Sequence, residues 1–469
     1  MFQMSKDTLL QYNEENISTL LAKVQPILEH RIKLYKRYAR KISPYDLMQG
    51  TEERSCVPFE FYIVNMAQGY LAGKAPTYNI MRRDKDASYT QALTDEIVRI
   101  RAYNDDASTF MELMHDYLIT TAAYLYAYEN DDNQIVYTPF DARQTVGVFD
   151  YETPCNLIGV VRAWIERGVN EEIIHVIEVI TEETRITYRE GNGAYHAEKI
   201  ETHHWSDVPC VAFEEEDGIA VFEPAIAVID AYEQAEKNIR SMTQYNDEAK
   251  LLISGYASEN SVTIVDEKGN TVPNPARKAE ETAWMKALTL FIGEGGDVKW
   301  LLKSIDYSGL LEVQKSRHDK ITMLTGVPNM TDEAFASADN ASALGYKLYA
   351  LDQYSATTDR VFKKGFLRLW ELICGRINLK SNTNFDFRDI VITMQRNIPT
   401  DKDKSIDRAV KMKNSGLFSS ETCINESTVE VDAAEELEKV AAEEQADYDR
   451  TLERAKDLPE NAQTNEDEA

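Results

Sequence analysis

Residues 223–255 read EPAIAVIDAYEQAEKNIRSMTQYNDEAKLLISG, and residues 308–328 read SGLLEVQKSRHDKITMLTGVP. The first segment opens on Glu223-Pro224, and proline suits the first helical turn, where its missing N–H costs no hydrogen bond. Apolar residues then recur in steps of three and four, among them Val228, Tyr232, Ala235, Ile239, Met242, Ala249 and Leu252, before Ser254-Gly255 offers a stop. The pattern predicts one helix over 224–254, a strut of about 45 Å at 1.5 Å per residue. Between 255 and 305, Val262–Val265, the turn Asp266–Asn270, Pro273, Pro275, Leu288–Ile292 and Gly293–Gly296 predict short strands joined by turns. A second helix is predicted from Asp306 or Ser308, with Leu310, Val313, Gln314, Arg317, Ile321 and Leu324 along one side. It ends abruptly at Thr325-Gly326-Val327-Pro328. Two struts thus leave and re-enter one body and carry a small strand module at their far end.

On the N-terminal side, a helical pattern runs through Leu9, Ile17, Leu20, Val24 and Leu28, with an interruption expected at Pro26. The basic stretch Arg31, Lys33, Lys36, Arg37, Arg40 and Lys41 either touches phosphate or forms a solvated helix face; helical spacing of Ile32, Leu34 and Tyr38 favours the face. Further helices fit Phe59–Leu71, Ala92–Tyr103 and Ala107–Tyr128, and strands fit Ile135–Tyr137, Thr145–Phe149, Leu157–Ile165, Ile173–Ile180 and Arg185–Tyr188. This is an α+β body, mainly helical. Past Pro328, the polar stretch Asn329–Asn340 leads into a long helix striped by Leu344, Leu348, Leu351, Phe362, Phe366, Leu369, Ile373 and Ile377. A strand near Val391–Met394 follows, then helices over Lys402–Asn414, ended by Gly416, and Ser420–Asn425, capped by Ser419. Asp432 is a cap for one more helix, and Asn461–Ala469 has no apolar anchor.

The 469 residues are 43% hydrophobic and suffice for a large core across about three domain-sized units. No apolar run reaches membrane-spanning length and no secretory leader is evident, so folding in the cytosol is expected. Cys56, Cys155, Cys210, Cys374 and Cys423 are scattered and odd in number, which suits reduced thiols. The formal charge of −29 excludes a conventional DNA-gripping surface, because tight binding needs lysine and arginine to displace counterions from phosphates. Residues 426–469 hold 16 acidic against 4 basic side chains, net −12, leaving −17 for the rest.

Catalytic signatures are missing. Gly73-Lys74 lacks the glycine-rich spacing of a phosphate-binding loop. His203 and His204 beside Asp207 point to opposite faces of an extended segment and lack zinc spacing. The acids Asp105-Asp106, Asp131-Asp132 and Glu214–Asp217 offer carboxylates to a metal-dependent nucleic-acid-processing enzyme, the alternative reading, but each sits in turn-like sequence. No catalytic residue, metal ligand or cofactor is assigned.

The order of several segments resembles the portal, or head-tail connector, family of long-tailed double-stranded DNA bacteriophages. These segments are Val57-Pro58-Phe59 with Tyr70-Leu71-Ala72-Gly73-Lys74-Ala75-Pro76-Thr77-Tyr78, and Val208–Phe213 with Phe222-Glu223. Val327-Pro328-Asn329-Met330-Thr331-Asp332-Glu333-Ala334-Phe335 with Ala341–Leu344, and Ser415–Thr422, complete the series. The resemblance implies a wing over 1–223, stem helices over 224–254 and 306–325, a clip over 255–305 and a tunnel loop over 326–340. It further implies a long wing helix with a return strand over 341–399 and a crown with an acidic tail over 400–469. It implies a ring, usually of twelve, at the capsid vertex of the virion. Double-stranded DNA would pass through without sequence specificity, and the large terminase subunit, head-completion adaptor, major capsid and scaffolding proteins would be partners. Asn329, Thr331, Asp332 and Asn340 become candidates for the DNA channel, and Trp284, Phe291 and Trp300 for docking on the clip.

Overall fold

The computed structural model describes residues 1–39, 57–81, 86–168, 171–215, 218–247, 250–254, 260–266, 269–286, 289–292, 297–301, 307–329, 341–397, 402–427, 439–442 and 445. The chain divides into a unit of Met1–Arg396 and a unit of Asn397–Ala469.

The first unit opens with β1 (Phe2–Gln3), α1 (Lys6–Leu9) and α2 (Ile17–Ala39). On α2, Ile17, Leu20, Val24 and Leu28 are at most 4% exposed and pack on Val146, Val148, Val161 and Ile177. The expected interruption at Pro26 does not occur. Pro26 sits inside α2 on its exposed side, where the only loss is one backbone hydrogen bond to a solvated carbonyl. The elements α3 (Phe59–Ala72), β2 (Thr77–Ile80), α4 (Ala87–Tyr103) and α5 (Asp106–Thr120) follow.

The helix read over Ala107–Tyr128 is two elements. Thr121 takes a left-handed φ of 67°, ends α5, and starts β3 (Ala122–Glu129). Strand β3 is the centre of the antiparallel sheet β10–β3–β4, with β4 at Ile135–Phe140 and β10 at Cys210–Glu214. Its first six residues are all buried, so it shows no alternation, and a strand covered on both faces is hard to tell from a buried helix by period. The larger sheet holds β1, β5 (Thr145–Phe149), β6 (Leu157–Arg167), β7 (Ile173–Ile180), β8 (Thr184–Gly191) and β9 (Ala194–Thr202). Strands β5 to β9 form an antiparallel meander, and β1 adds in parallel at its edge, Phe2 opposite Val148.

A 3-10 turn at Glu223–Ala225 leads into α6 (Ile226–Asp247). The strut is therefore shorter than expected. Lys250–Ser254, read as its last turn, is strand β11, because its apolar run pairs on both edges with β14 (Thr289–Ile292) and β15 (Asp297–Leu301). Between them lie the hairpin β12 (Thr263–Val265) and β13 (Thr271–Pro273), and a helix that the strand-only reading missed, α7 (Pro275–Lys286). Its signal is legible in hindsight: the Asn274 side chain accepts from the Ala276 amide, and Pro275 holds the first helical position. The hairpin turn forms as read, with Gly269 at φ 80° and the Asn270 amide donating to the Asp266 carboxylate.

Helix α8 (Tyr307–Thr325) returns to the body, and α9 (Ala341–Ser381) crosses it as 41 residues of continuous helix. The expected stripe is buried from Leu348 to Ile377; Leu344 has no described side chain. Phe362 and Phe366 on α9 meet Phe213 of β10 and Phe110 of α5. Gly365 permits this approach, since a Cβ there would stand 2.3 Å from the Phe213 ring. Strand β16 (Ile390–Thr393) closes the unit by pairing with β2.

The second unit shows α10 (Lys402–Asn414), Gly416 at φ 68°, and α11 (Ser420–Glu426) with Ser419 accepting from the Thr422 amide. Asp432, Asn461–Ala469, Cys56, Arg40 and Lys41 lie outside the described residues. Burial pushes the Cys374 thiol up to about 12 and the Cys210 thiol higher still, so both remain protonated.

Candidate functional site

The struts α6 and α8 pack side by side and are tied to the body by polar groups of opposite chemistry. Gln314 of α8 is 5% exposed and donates to Glu236 of α6 at 2.7 Å. Below it, Phe59 at the start of α3 meets the Tyr232 ring edge-on at 5.1 Å and the His318 ring at 5.8 Å. Arg37 bridges Glu60 of α3 at 2.6 Å and Asp230 of α6 at 2.7 Å. Glu60 is fully buried, so this guanidinium supplies a countercharge that solvent cannot.

Among its described residues the basic stretch is in part a solvated face, with Lys33 and Lys36 exposed, but two of its arginines turn to carboxylates. Arg31 is 2% exposed and binds Glu214, and Arg37 is spent on two carboxylates. Helical spacing marked the stripe correctly, but the partners of Arg31 and Arg37 lie up to 193 positions away.

The break after α8 is built, not loose. The Thr325 hydroxyl donates to the Ile321 carbonyl at 2.9 Å, and Gly326 takes φ 68°, which an L-residue resists. Val327 is 1% exposed, and the Tyr62 hydroxyl donates to the Pro328 carbonyl at 2.8 Å. Asn329 follows, half-buried. Thr331, Asp332 and Asn340 lie outside the described residues. In the strand module, register sets Phe291 opposite Ile253 and Trp300 opposite Leu251 across one three-stranded sheet, while Trp284 belongs to α7.

Of the acids weighed for metal chemistry, Asp105, Asp106 and Glu214 have other employment, while Glu216 and Asp217 lie outside the described residues. Asp105 caps α5 by accepting from the Ser108 amide, and Asp106, 5% exposed, accepts from Arg101 and from the Tyr137 hydroxyl. Glu214 is held by Arg31 and by the Tyr124 hydroxyl, and Asp131 and Asp132 are exposed in a turn. Among the described residues, no three His, Cys, Asp or Glu side chains gather as a metal site. A cavity of about 780 Å³ between β10 and α9 has Arg360 and Lys364 at its wall, and Arg368 there is spent on Asp207 and Glu371.

His203 and Asp207 are not brought together as a ligand pair. The His203 Nε2 lies 2.9 Å from the Thr181 carbonyl, so Nε2 carries the proton, and Nδ1 is buried without a partner among the described residues. Burial lowers its pKa below the ordinary 6.5, against the weaker pull of Thr181. The neutral ring's contribution is therefore complete above pH 6.5 and is lost as pH falls through the lowered folded value. Melting curves at pH 7.5 and 5.5 should show a smaller acid-side drop for His203→Gln than for the parent; equal drops would refute it.

The family model described as "Phage portal protein, SPP1 Gp6-like" matches residues 8–449. No curated protein matches the chain. Among solved structures, a chain from the neck of an empty GTA particle computed with C6 symmetry is 13% identical at TM-score 0.36, covering 79% of this chain and 90% of that one. A chain from the virion of a native gene transfer agent particle is 12% identical at TM-score 0.36, covering 84% and 92%. A third, from the neck of a native GTA particle computed with C12 symmetry, is 12% identical at TM-score 0.33, covering 80% and 91%. Spanning residues 8–449, the match takes in both struts, the module between them and the break after α8: the chain belongs to the SPP1 Gp6-like phage portal protein family.

Proposed function

We propose that copies of this chain form a ring at the capsid vertex, a conduit for double-stranded DNA in packaging and ejection and a platform for terminase and head-completion proteins. One observation carries the ring: α8 leaves several large apolar side chains uncovered among its exposed charged residues. Leu311 is 66% exposed, Val313 47% and Met323 72%, while Gln314, Ile321 and Thr325 are buried. Such residues on a protruding strut call for a covering surface, and a neighbouring copy supplies one by heterologous contact that closes by rotation.

On this reading α6 and α8 are the stem, residues 250–301 the clip, and 326–340 the tunnel loop. Residues 1–223 with 341–399 form the wing and 400–469 the crown. Twelve copies at −29 each would carry roughly −350 formal charges, which opposes adhesion of the phosphate backbone. DNA then slides past Asn329, Thr331, Asp332 and Asn340, where contacts carry no sequence information. Trp284, Phe291 and Trp300 in the clip are the docking positions, since aromatic side chains dominate binding hot spots.

Negative-stain microscopy of the purified chain at micromolar concentration is expected to show rings; a strictly monomeric or dimeric particle would overturn the proposal. Burying an exposed leucine is worth about 1.5–3 kcal/mol. The double variant Leu311→Asp, Met323→Asp should therefore raise the concentration needed for assembly at least about tenfold with unchanged circular dichroism. Sedimentation velocity reads that shift.

A further inference from the structure

Strand β10 ends its sheet, and among the described residues only its edge toward β3 is paired. The Ala127 amide donates to the Pro209 carbonyl, and such bonded pairs recur at every second position, so 209, 211 and 213 turn their backbone groups to β3. The amides and carbonyls of Cys210, Ala212 and Glu214 therefore point the other way, into the cavity of about 780 Å³ beside α9. Its two walls differ in chemistry, because successive side chains of a strand face opposite sides. Phe213 meets Phe362 and Phe366 of α9 on one side, whereas Cys210 and Ala212 pack with Leu157 on the other, where Phe149 is paired opposite Leu157. On the α9 wall Arg360, Lys364 and Arg368 stand four residues apart. That row of about 12 Å runs beside a strand of about 14 Å. Arg368 is bound to Asp207 and Glu371, and Glu214 to Arg31. Arg360 and Lys364 are exposed and have no ion pair among the described residues, and Glu215 is the one lining acid in the same position.

We propose that the open edge of β10 docks an extended segment of a partner protein, whose side chains alternate between carboxylates facing Arg360 and Lys364 and aliphatic groups facing Leu157 and Phe149. The backbone of that segment pairs with Cys210, Ala212 and Glu214 and becomes a fourth strand of the β10–β3–β4 sheet. Main-chain bonds supply affinity, and the two walls supply the choice of sequence. Charge complementarity selects an acidic segment, since the two unpaired cations repel a basic one. Phe362 and Phe366 already lock α9 onto Phe213, so the slot is formed before the partner arrives and the cost of ordering falls on the segment alone. Every group of the slot lies within the Met1–Arg396 unit, so docking does not require a ring.

Isothermal titration of the full-length chain with the synthetic peptide acetyl-Val-Glu-Val-Glu-Val-Glu-Val-amide tests this, and micromolar binding is expected. The same composition in the order Val-Val-Glu-Glu-Glu-Val-Val, which breaks the alternation, should bind at least about tenfold more weakly. Two further peptides carry methyl groups on the amide nitrogens of the valines or of the glutamates, which lie on opposite edges of the added strand. One of them should lose about thirtyfold and the other bind as the parent does, because only one edge meets β10. On the protein side, Arg360→Glu with Lys364→Glu should weaken the acidic peptide at least about tenfold, with unchanged circular dichroism, and favour a peptide with lysine in place of glutamate. No binding at millimolar peptide, equal losses for the two methylated peptides, or an indifferent double variant would overturn the proposal. Binding by dispersed subunits that vanishes in rings would give the slot to a neighbouring copy and overturn the partner segment.

Discussion

Replacing Arg31 by methionine is expected to destabilise the Met1–Arg396 unit by about 3–5 kcal/mol. The guanidinium donates to the Thr145 carbonyl at 2.6 Å, the Ala142 carbonyl at 3.3 Å and Glu214 at 3.1 Å, and it lies 5.4 Å from the Tyr124 ring centre. Tyr124 in turn donates to the other Glu214 oxygen at 2.7 Å. Methionine fills much of the volume but abandons a carboxylate that is 6% exposed, with the Met1 amine, at 3.7 Å, left as its countercharge among the described residues. It also removes the Arg31 donor from the carbonyls of Ala142, after β4, and Thr145, the first residue of β5. A second change, Glu214→Met, should recover part of the loss, because an apolar pair avoids burying a lone charge. Urea unfolding of parent, single and double variants gives the cycle. A single-variant loss under about 1 kcal/mol, the level of an exposed pair, would show the network to be solvated.

Phe362→Ala should cost a similar amount, about 3–5 kcal/mol, by another mechanism. The Phe362 ring is fully buried and touches Phe213 at 4.8 Å, Tyr117 at 5.4 Å and Phe110 at 5.7 Å. Three elements, α5, α9 and β10, meet on this one ring. Gly365 one turn later has already brought the Phe213 ring as close as packing allows, so the site has little room to collapse onto the cavity. The expected result is a large drop in melting temperature with loss of near-ultraviolet circular dichroism. Phe362→Leu, which keeps most of the volume, should lose less than half as much. Equal losses would mean that ring geometry, not volume, holds α9 in place.

The two variants divide what can be read in the chain from what cannot. Phe362 stands in a stripe of period three to four, and that stripe needs no knowledge of its partners to be read as a buried helix face. Local chemistry did as well at caps: Ser419, Gly416 and the turn at Gly269 behave as their types require. Arg31 sits on a stripe read just as easily, yet its role depends on Glu214, 183 positions on. Of the candidate channel positions, Asn329 alone falls within the described residues, and the residue that pins its neighbourhood, Tyr62, carried no signal beyond its place in a helix.

Sequence by itself determined the order of parts: strut, module, strut, break and long helix, because amphipathic period, proline, glycine and capping residues act over a few positions. It also determined the acidic balance of −29 that sets how the chain meets phosphate. Tertiary structure alone decided that 122–129 and 250–254 are strands, since a strand flanked by two others gains its hydrogen bonds from neighbours that may be distant in the chain. It alone decided that Arg31 and Arg37 turn inward, because a buried charge is stable only where the fold delivers a carboxylate to meet it.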